Sequence, residues 1–172
     1  MSPEKSRFKL LFLCTGNSAR SIIAEYLLRK IAPEKFDSYS AGTQPKPFPH
    51  PMASALLKED FGIDASDARS KSLDEFKDME FDFVITLCDS AKETCPVLPG
   101  QTILAHWGSP DPADFSGSDE EQTQLFWQVA QQIKRRIELF TSLPFEQLDA
   151  LRLEIATKEI GNKEVIDSHQ TA

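Results

Sequence analysis

The stretch LLFLCTGNSARS, residues 10–21, decides the fold and raises the main question about function. Apolar residues up to Cys14 predict the end of a buried strand, and Gly16 lies in the short polar turn that follows. Apolar residues at helical spacing continue from Ile22. The sequence therefore places a thiol at the end of a strand and Arg20 at the start of a helix, and this pairing requires a chemical explanation.

Composition limits the classes of protein to consider. The chain of 172 residues, of which 40% are hydrophobic, is predicted to form one domain followed by a tail. Its formal net charge of -8 disfavours nucleic-acid binding, which needs clustered positive charge. No apolar run approaches the roughly 20 residues that cross a bilayer, and the start lacks an apolar segment of the signal-peptide type. We therefore expect a cytoplasmic protein that contacts neither membrane nor nucleic acid.

The cysteines and histidines argue against a metal site. Three cysteines, an odd number, fit a reducing compartment better than a secreted disulfide framework. The chain has no C-x-x-C motif, and its three histidines are scattered. Neither a metal ion nor another cofactor is expected.

Hydrophobic periodicity predicts alternating strands and helices. The predicted strands cover residues 8–14, 36–42, 81–88 and 101–107. The predicted helices cover residues 21–32, 51–62 with a left-handed cap at Gly62, 72–78, and a long segment that starts from a Ser118–Glu121 capping box and ends or kinks at Pro144. This alternation indicates an α/β fold of three layers, with a mostly parallel four-stranded sheet covered by helices on both faces.

The fold class predicts where a ligand binds. Ligands of such folds bind at the carboxyl ends of the strands. Cys14, Cys88 and the loop after Trp107 would meet there. This convergence is the first indication of function.

A C-terminal extension follows the predicted domain. Residues 145–161 are expected to form one more amphipathic helix, with Leu148, Leu151 and Ile155 on an apolar stripe. The stripe is expected to dock on the domain or to mediate self-association, and the final eleven residues look frayed. The predicted organisation is a domain over residues 1–144 and an extension over residues 145–172.

The polar turn after the first strand has the chemistry of an anion site. Gly16 permits close backbone approach, and successive N–H groups can surround an anion at the start of a helix. Arg20 adds a planar fork that matches two oxygens of a tetrahedral oxyanion, and this positive environment is expected to lower the pKa of Cys14. An ordinary polar turn after a buried cysteine is the alternative. The predicted oxyanion loop consists of Thr15, Gly16, Asn17, Ser18, Ala19, Arg20 and Ser21.

The string CTGNSARS resembles the C-x5-R-S loop of the low-molecular-weight protein tyrosine phosphatases and of the thioredoxin-coupled arsenate reductases that share their fold. The resemblance extends over roughly residues 8–143 and includes YSAG, VITLCDSAKETCPVLPG and HWGSPDPAD. It implies a four-stranded parallel sheet with flanking helices. It also implies that Cys14 is the nucleophile, that Arg20 clamps the oxyanion, and that Asn17 and Ser21 orient the loop. Asp111 falls where the family keeps its general acid, although SPDPA by itself is only a turn signal.

The other two cysteines distinguish the branches of this family. A phosphatase needs one thiol, because water hydrolyses its phosphocysteine intermediate. The reduction of arsenate requires two electrons, which a second thiol can supply. Cys88 in ITLC and Cys95 in TCP resemble the redox pair of the arsenate reductases, whereas a core cysteine is the alternative for Cys88 alone. The aromatic pair that phosphatases usually keep after the acid is replaced here by Ala113 and Asp114.

Two positions depart from the reductase pattern. Ala19 stands where the reductases often have an additional loop cysteine. That cysteine is not one of the three redox thiols of the reductases, which Cys14, Cys88 and Cys95 match here. Some relatives bind potassium beside the loop at positions that match Asn17, Glu25 and Ser40 here, and the aspartate of that site falls on Lys71. We expect the Lys71 ammonium to replace the cation. A solvated surface lysine is the alternative.

The resemblance therefore implies a cytoplasmic arsenate reductase with catalytic Cys14, Arg20, Cys88, Cys95 and Asp111. Its partners would be arsenate, phosphate or sulfate as competing oxyanions, and thioredoxin as the reductant. A phosphatase for phosphotyrosine or small phosphomonoesters is the second hypothesis. A non-catalytic module that senses redox state or binds phosphate is the third, and it gives Asp111 no role.

Overall fold

The computed structural model describes residues 7–94, 100 and 102–163. Four strands form one parallel sheet in the order β2-β1-β3-β4. The strands are β1 (Phe8–Cys14), β2 (Phe36–Gly42), β3 (Phe83–Thr86) and β4 (Ile103–His106). The helices are α1 (Arg20–Ile31), α2 (Pro51–Phe61), α3 (Asp89–Thr94), α4 (Asp119–Thr141) and α5 (Ala150–Lys163). The predicted α/β class with a four-stranded parallel sheet is confirmed.

The central strand β1 explains why the sheet is covered on both faces. Its residues alternate between two hydrophobic clusters: Leu10 and Phe12 face the cluster with α1 and α4, and Leu11 and Leu13 face the other. All four are fully buried. A continuous apolar run, rather than a simple alternation, is what a strand buried on both faces requires.

The strand order determines where the site forms. β1 and β3 are neighbours in the sheet; the chain leaves β1 toward β2 on one side and leaves β3 toward β4 on the other side. Connections that diverge in this way open a crevice at the carboxyl end of β1. Cys14 lies at that end, so the polar turn after it occupies the crevice.

The helices begin and end largely where the sequence predicts. Pro51 occupies the first turn of α2, and Gly62 follows with a φ of 64° in the left-handed region, where glycine is favoured. The Ser118 side chain accepts a hydrogen bond from the Glu121 N–H and caps α4. Residues 72–78 contain a 3₁₀ turn, Leu73–Phe76, in place of a helix. Periodicity did not predict α3, because six residues are too few to show a period.

The C-terminal helix differs from its prediction. It starts at Ala150, not at residue 145, and its buried side chains are Leu153, Thr157 and Ile160. Leu151 and Ile155 of the predicted stripe are 65% and 50% exposed, so these two side chains do not dock on the domain, and Leu148 is half-buried but lies before the helix. The buried side chains therefore lie on a different face of α5 from Leu151 and Ile155. Of the expected frayed tail, residues 162–172, the first two belong to α5 and the rest lie outside the described residues. The division of the chain at residue 144 stays a prediction.

Candidate active site

Cys14 lies at the carboxyl end of β1, where its thiol is buried. The Sγ atom accepts a hydrogen bond from the Asn17 N–H at 3.2 Å and lies 2.9 Å from the Ser21 hydroxyl. Burial raises the pKa of the Cys14 thiol above its ordinary value, and the Ser21 hydroxyl, the Arg20 charge and the Asn17 N–H oppose that rise. The predicted lowering of this pKa is therefore wrong, because the sequence did not reveal how completely the thiol is desolvated.

Asn17 holds the oxyanion loop, residues 15–21, in its curved shape. Its φ of 45° lies in the left-handed region, which asparagine tolerates better than most residues. Its amide nitrogen donates to the Ser21 hydroxyl at 2.7 Å, and its side-chain oxygen accepts from the Lys71 backbone N–H at 2.8 Å. Both side-chain groups are therefore used to brace the loop, as the resemblance implies.

A segment that sequence reasoning did not assign, residues 43–50, runs along the outside of the oxyanion loop. Its backbone N–H groups donate to loop carbonyls in four pairs: Thr43 to Cys14 at 3.1 Å, Gln44 to Thr15 at 2.9 Å, Lys46 to Gly16 at 2.9 Å, and His50 to Ser18 at 2.8 Å. We call residues 43–50 the support segment. Its three prolines, in QPKPFP, gave a signal for an extended stretch, but no signal for what it contacts.

The support segment orients the loop amides. In a planar trans peptide the carbonyl points opposite to the following N–H. Because the loop carbonyls point outward to the support segment, the N–H groups of Thr15, Gly16, Asn17 and Ala19 point inward. The bond from the Asn17 N–H to the Cys14 sulfur agrees with this orientation. The inner surface of the loop is thus lined with donors suited to an oxyanion.

Gly42 permits this close approach. A Cβ atom at Gly42 would lie 2.5 Å from the Thr15 carbonyl oxygen and 3.1 Å from the Asn17 backbone nitrogen. Any side chain at this position would displace the oxyanion loop. The glycine of YSAG is therefore explained by packing at the end of β2.

Arg20 and Asp111 face each other across the mouth of the site. The Arg20 guanidinium is buried and donates to the Ser109 carbonyl at 2.9 Å and to the Leu87 carbonyl at 3.4 Å. Its Nη2 atom lies 3.3 Å from Asp111 Oδ2. The other Asp111 oxygen accepts the Ala113 N–H at 3.0 Å and caps the 3₁₀ turn Pro112–Asp114. The structure thus brings the predicted clamp and the predicted acid together.

Lys71 lies behind the loop, and its ammonium contacts two of the three residues that the resemblance names, Glu25 and Ser40. Its Nζ is 3.3 Å from Glu25 Oε1, 3.4 Å from Ser40 Oγ and 3.0 Å from the Arg69 carbonyl oxygen. Glu25 also accepts from Ser40 and pairs with Arg29. The side chains of Lys71 and Glu25 are only 11% and 4% exposed. The solvated surface lysine is excluded, whereas the replacement of a cation stays a prediction.

Cys88 lies beside the loop as well. Its half-buried sulfur is 3.1 Å from the Thr15 hydroxyl and accepts the Ala91 N–H at 3.3 Å. Thr15 is the residue that follows Cys14, so the second thiol contacts the loop that holds the first. Cys95 lies outside the described residues.

Two other features of the described residues bear on function. Among residues 7–94, 100 and 102–163, no cluster of three or more histidine, cysteine, aspartate and glutamate side chains is arranged to hold a metal ion. Within the same part of the chain, every helix is too short or too polar to cross a membrane.

Comparison with known proteins gives consistent matches. The sequence model for "Low molecular weight phosphotyrosine protein phosphatase" matches residues 9–152. An arsenate reductase from Halalkalibacterium halodurans is 40% identical over 131 residues, which are 76% of this chain and 93% of the relative.

Solved structures agree with the sequence matches. The structure of an arsenate reductase in the phosphate-binding state has a TM-score of 0.62 and 31% identity, over 76% of this chain and 94% of that chain. A thioredoxin-dependent arsenate reductase from Corynebacterium glutamicum has a TM-score of 0.63 and 28% identity, over 84% of this chain and 65% of that chain.

Proposed function

The chain belongs to the low molecular weight phosphotyrosine protein phosphatase family, and from this membership we propose that it reduces arsenate to arsenite through Cys14, Cys88 and Cys95. The observation that carries the proposal is the 3.1 Å contact between the Cys88 sulfur and the Thr15 hydroxyl. Ester hydrolysis needs no thiol beside the loop, because water completes it. A reductase needs a second thiol beside the loop, because that thiol supplies electrons to arsenic.

The first step is the attack of the Cys14 sulfur on arsenic. The sulfur–arsenic bond forms, and one arsenate oxygen leaves as water. The leaving water consists of the arsenate hydroxyl and one proton that Asp111 donates. The Cys14 thiol loses its own proton when the sulfur–arsenic bond forms. The inward N–H groups and Arg20 hold the remaining oxygens. The 3.3 Å contact between Arg20 and Asp111 supports these roles.

The second step moves two electrons. The Cys88 sulfur attacks the Cys14 sulfur, a disulfide forms between them, and the sulfur–arsenic bond breaks with its electron pair going to arsenic. The two thiols are oxidised to a disulfide, and their two electrons reduce arsenic(V) to arsenic(III), which leaves as arsenite. Cys95 then attacks Cys88, which releases Cys14 and leaves a Cys88–Cys95 disulfide. The dithiol of thioredoxin reduces that disulfide and completes the cycle, as the name of the Corynebacterium protein suggests.

A phosphatase for phosphotyrosine or small phosphomonoesters is the second candidate, favoured by the shared oxyanion loop and by the name of the family. The same attack by Cys14 would begin that reaction. Phosphate and sulfate should compete with arsenate in either case, because all three are tetrahedral oxyanions.

Arsenate-dependent oxidation of NADPH, coupled through thioredoxin and thioredoxin reductase, tests the proposal. Cys88→Ser should abolish arsenate turnover and leave the hydrolysis of p-nitrophenyl phosphate within about threefold, because water completes the latter. Cys95→Ser should reduce about one arsenate per molecule and stop as a Cys14–Cys88 disulfide, which peptide mapping would detect. Cys14→Ser is the control that stops both reactions.

Two outcomes would contradict the proposal. The first is multiple turnover of arsenate by Cys88→Ser. The second is rapid hydrolysis of phosphotyrosine by the unmodified protein without any oxidation of NADPH, which would leave the phosphatase as the function.

A further inference from the structure

The last described helix, α5, packs closely against the end of β4, on the segment that leads to Asp111. A Cβ atom at Gly161 would lie 2.1 Å from the His106 carbonyl oxygen and 2.9 Å from the Trp107 ring. Glycine weakens a helix relative to alanine. Its presence inside α5 is therefore explained by the approach of that helix to the end of β4.

Two buried side chains are tied to the backbone of α5. The Trp107 indole N–H donates to the Thr157 carbonyl at 3.0 Å. Arg136, on α4, donates through one arm to the Gly161 carbonyl at 3.1 Å and through the other to the Gly108 carbonyl at 3.0 Å. The Trp107 and Arg136 side chains are fully buried, so these contacts lie in a low-dielectric interior, where they are costly to break.

The residues that follow Gly108 link these hydrogen bonds to the active site. The carbonyl of the next residue, Ser109, accepts a hydrogen bond from the Arg20 guanidinium at 2.9 Å. The Ser109 hydroxyl donates a hydrogen bond to the Gln132 side-chain oxygen at 2.8 Å. Two residues further along, Asp111 lies 3.3 Å from Arg20. Residues 107–109 are thus fixed from α5 on one side and from the oxyanion site on the other.

We propose that α5, acting through Arg136 and the Gly161 contact, is a positioning element that holds Asp111 at the oxyanion site. The inference rests on the proposed role of Asp111 as the general acid. The family match ends at residue 152, so most of α5 lies beyond it. The C-terminal extension would then contribute to catalysis.

A double-mutant cycle between Gly161→Ala and Asp111→Asn tests the proposal. In the otherwise unmodified protein, Gly161→Ala should lower kcat for arsenate about tenfold, because a small displacement of a catalytic group is costly. In the Asp111→Asn background it should change kcat by less than about twofold, because the acid is already absent. Asn162→Ala, exposed on the same turn of α5, is the matched control and should leave kcat unchanged.

A second measurement separates positioning from general damage to the site. The dissociation constant for inorganic phosphate should stay within about threefold in Gly161→Ala, because the support segment holds the loop amides and the Leu87 carbonyl also holds Arg20. A larger rise would show that α5 acts on anion binding instead of on Asp111. If Gly161→Ala does not fold, Arg136→Lys takes its place in the cycle, since lysine keeps the charge and loses the fork.

Some outcomes would overturn the inference. An equal loss of kcat in both backgrounds, or no loss in either, would show that α5 does not act through Asp111. If the unmodified protein consumes no arsenate, the proposed function fails separately. The same cycle is then measured on p-nitrophenyl phosphate hydrolysis, which would use the same acid.

Discussion

Two ion pairs flank the oxyanion loop at the same separation, and their surroundings differ. Arg20 lies 3.3 Å from Asp111, and Lys71 lies 3.3 Å from Glu25. The Asp111 side chain is 27% exposed at the mouth of the site, whereas that of Glu25 is 4% exposed. The first pair can meet a ligand, and the second is enclosed by protein.

From this difference we infer that Arg20 serves chemistry and that Lys71 serves architecture. The Lys71 ammonium contacts a carboxylate, a hydroxyl and a carbonyl, and these partners match its three N–H donors. Arg20 has five N–H donors, a forked geometry and a partly exposed partner, which suit the recognition of an anion. Distance alone does not distinguish the two roles, but exposure and donor geometry do.

We expect the largest effect when the forked guanidinium of Arg20 is replaced by the ammonium of lysine, which keeps the charge. Arg20→Lys should lower kcat/KM for arsenate about 100-fold to 1000-fold, because one arm of the fork is lost where charge develops. Steady-state kinetics measure this loss. Arg69→Lys is the matched control: Arg69 forms an exposed two-armed pair with Glu75, outside the site, and its replacement should leave kcat/KM unchanged. Nearly normal activity of Arg20→Lys would show that charge suffices at this position and that the fork does not distinguish the two cations.

The next effect should fall on stability rather than on chemistry. Lys71→Met should lower the free energy of unfolding by about 2 kcal/mol, because it leaves Glu25 buried without its ammonium partner. The typical cost of breaking a buried pair is about 3–5 kcal/mol, and we expect less here because Arg29 still pairs with Glu25. A lower denaturation midpoint with unchanged slope would measure the loss. Lys58→Met, on the exposed face of α2, is the control.

The same pair predicts how the protein responds to potassium. If the Lys71 ammonium takes the place of a bound cation, activity and Tm should be nearly equal in sodium and potassium chloride at matched ionic strength. Activation of the unmodified protein several-fold by potassium alone would contradict this role and would place a second cation beside the loop.

The sequence predicted the elements with strong signals and the loop with a specific motif. The apolar run of β1 identified the central strand, and the Ser118–Glu121 capping box identified the start of α4. CTGNSARS, through its resemblance, predicted that Asn17 and Ser21 orient the loop, and a 2.7 Å hydrogen bond joins their side chains. These features are local, so a short stretch of sequence contains them.

The features that sequence did not predict depend on contacts between distant segments. The support segment acts through backbone N–H groups, which carry no residue-type signal. The buried face of α5 is selected by Trp107 and Arg136, which lie elsewhere in the chain. The pKa of Cys14 depends on total burial, a property of the packed site and not of the loop residues alone.

The smallest expected effect separates the two cations by their influence on Cys14. The Arg20 charge lowers the pKa of this thiol, against the larger opposite effect of burial. The Lys71 ammonium is instead held behind the loop by Glu25, Ser40 and the Arg69 carbonyl. Arg20→Met should therefore shift the pH midpoint of Cys14 alkylation upward, because the thiolate loses a stabilising charge. Lys71→Met removes an equal charge, and its midpoint should stay at that of the unmodified protein. Iodoacetamide labelling across pH, followed by mass spectrometry of the Cys14 peptide, measures both midpoints. Equal upward shifts in the two variants would mean that both cations act on the thiol and that the division between chemistry and architecture is wrong.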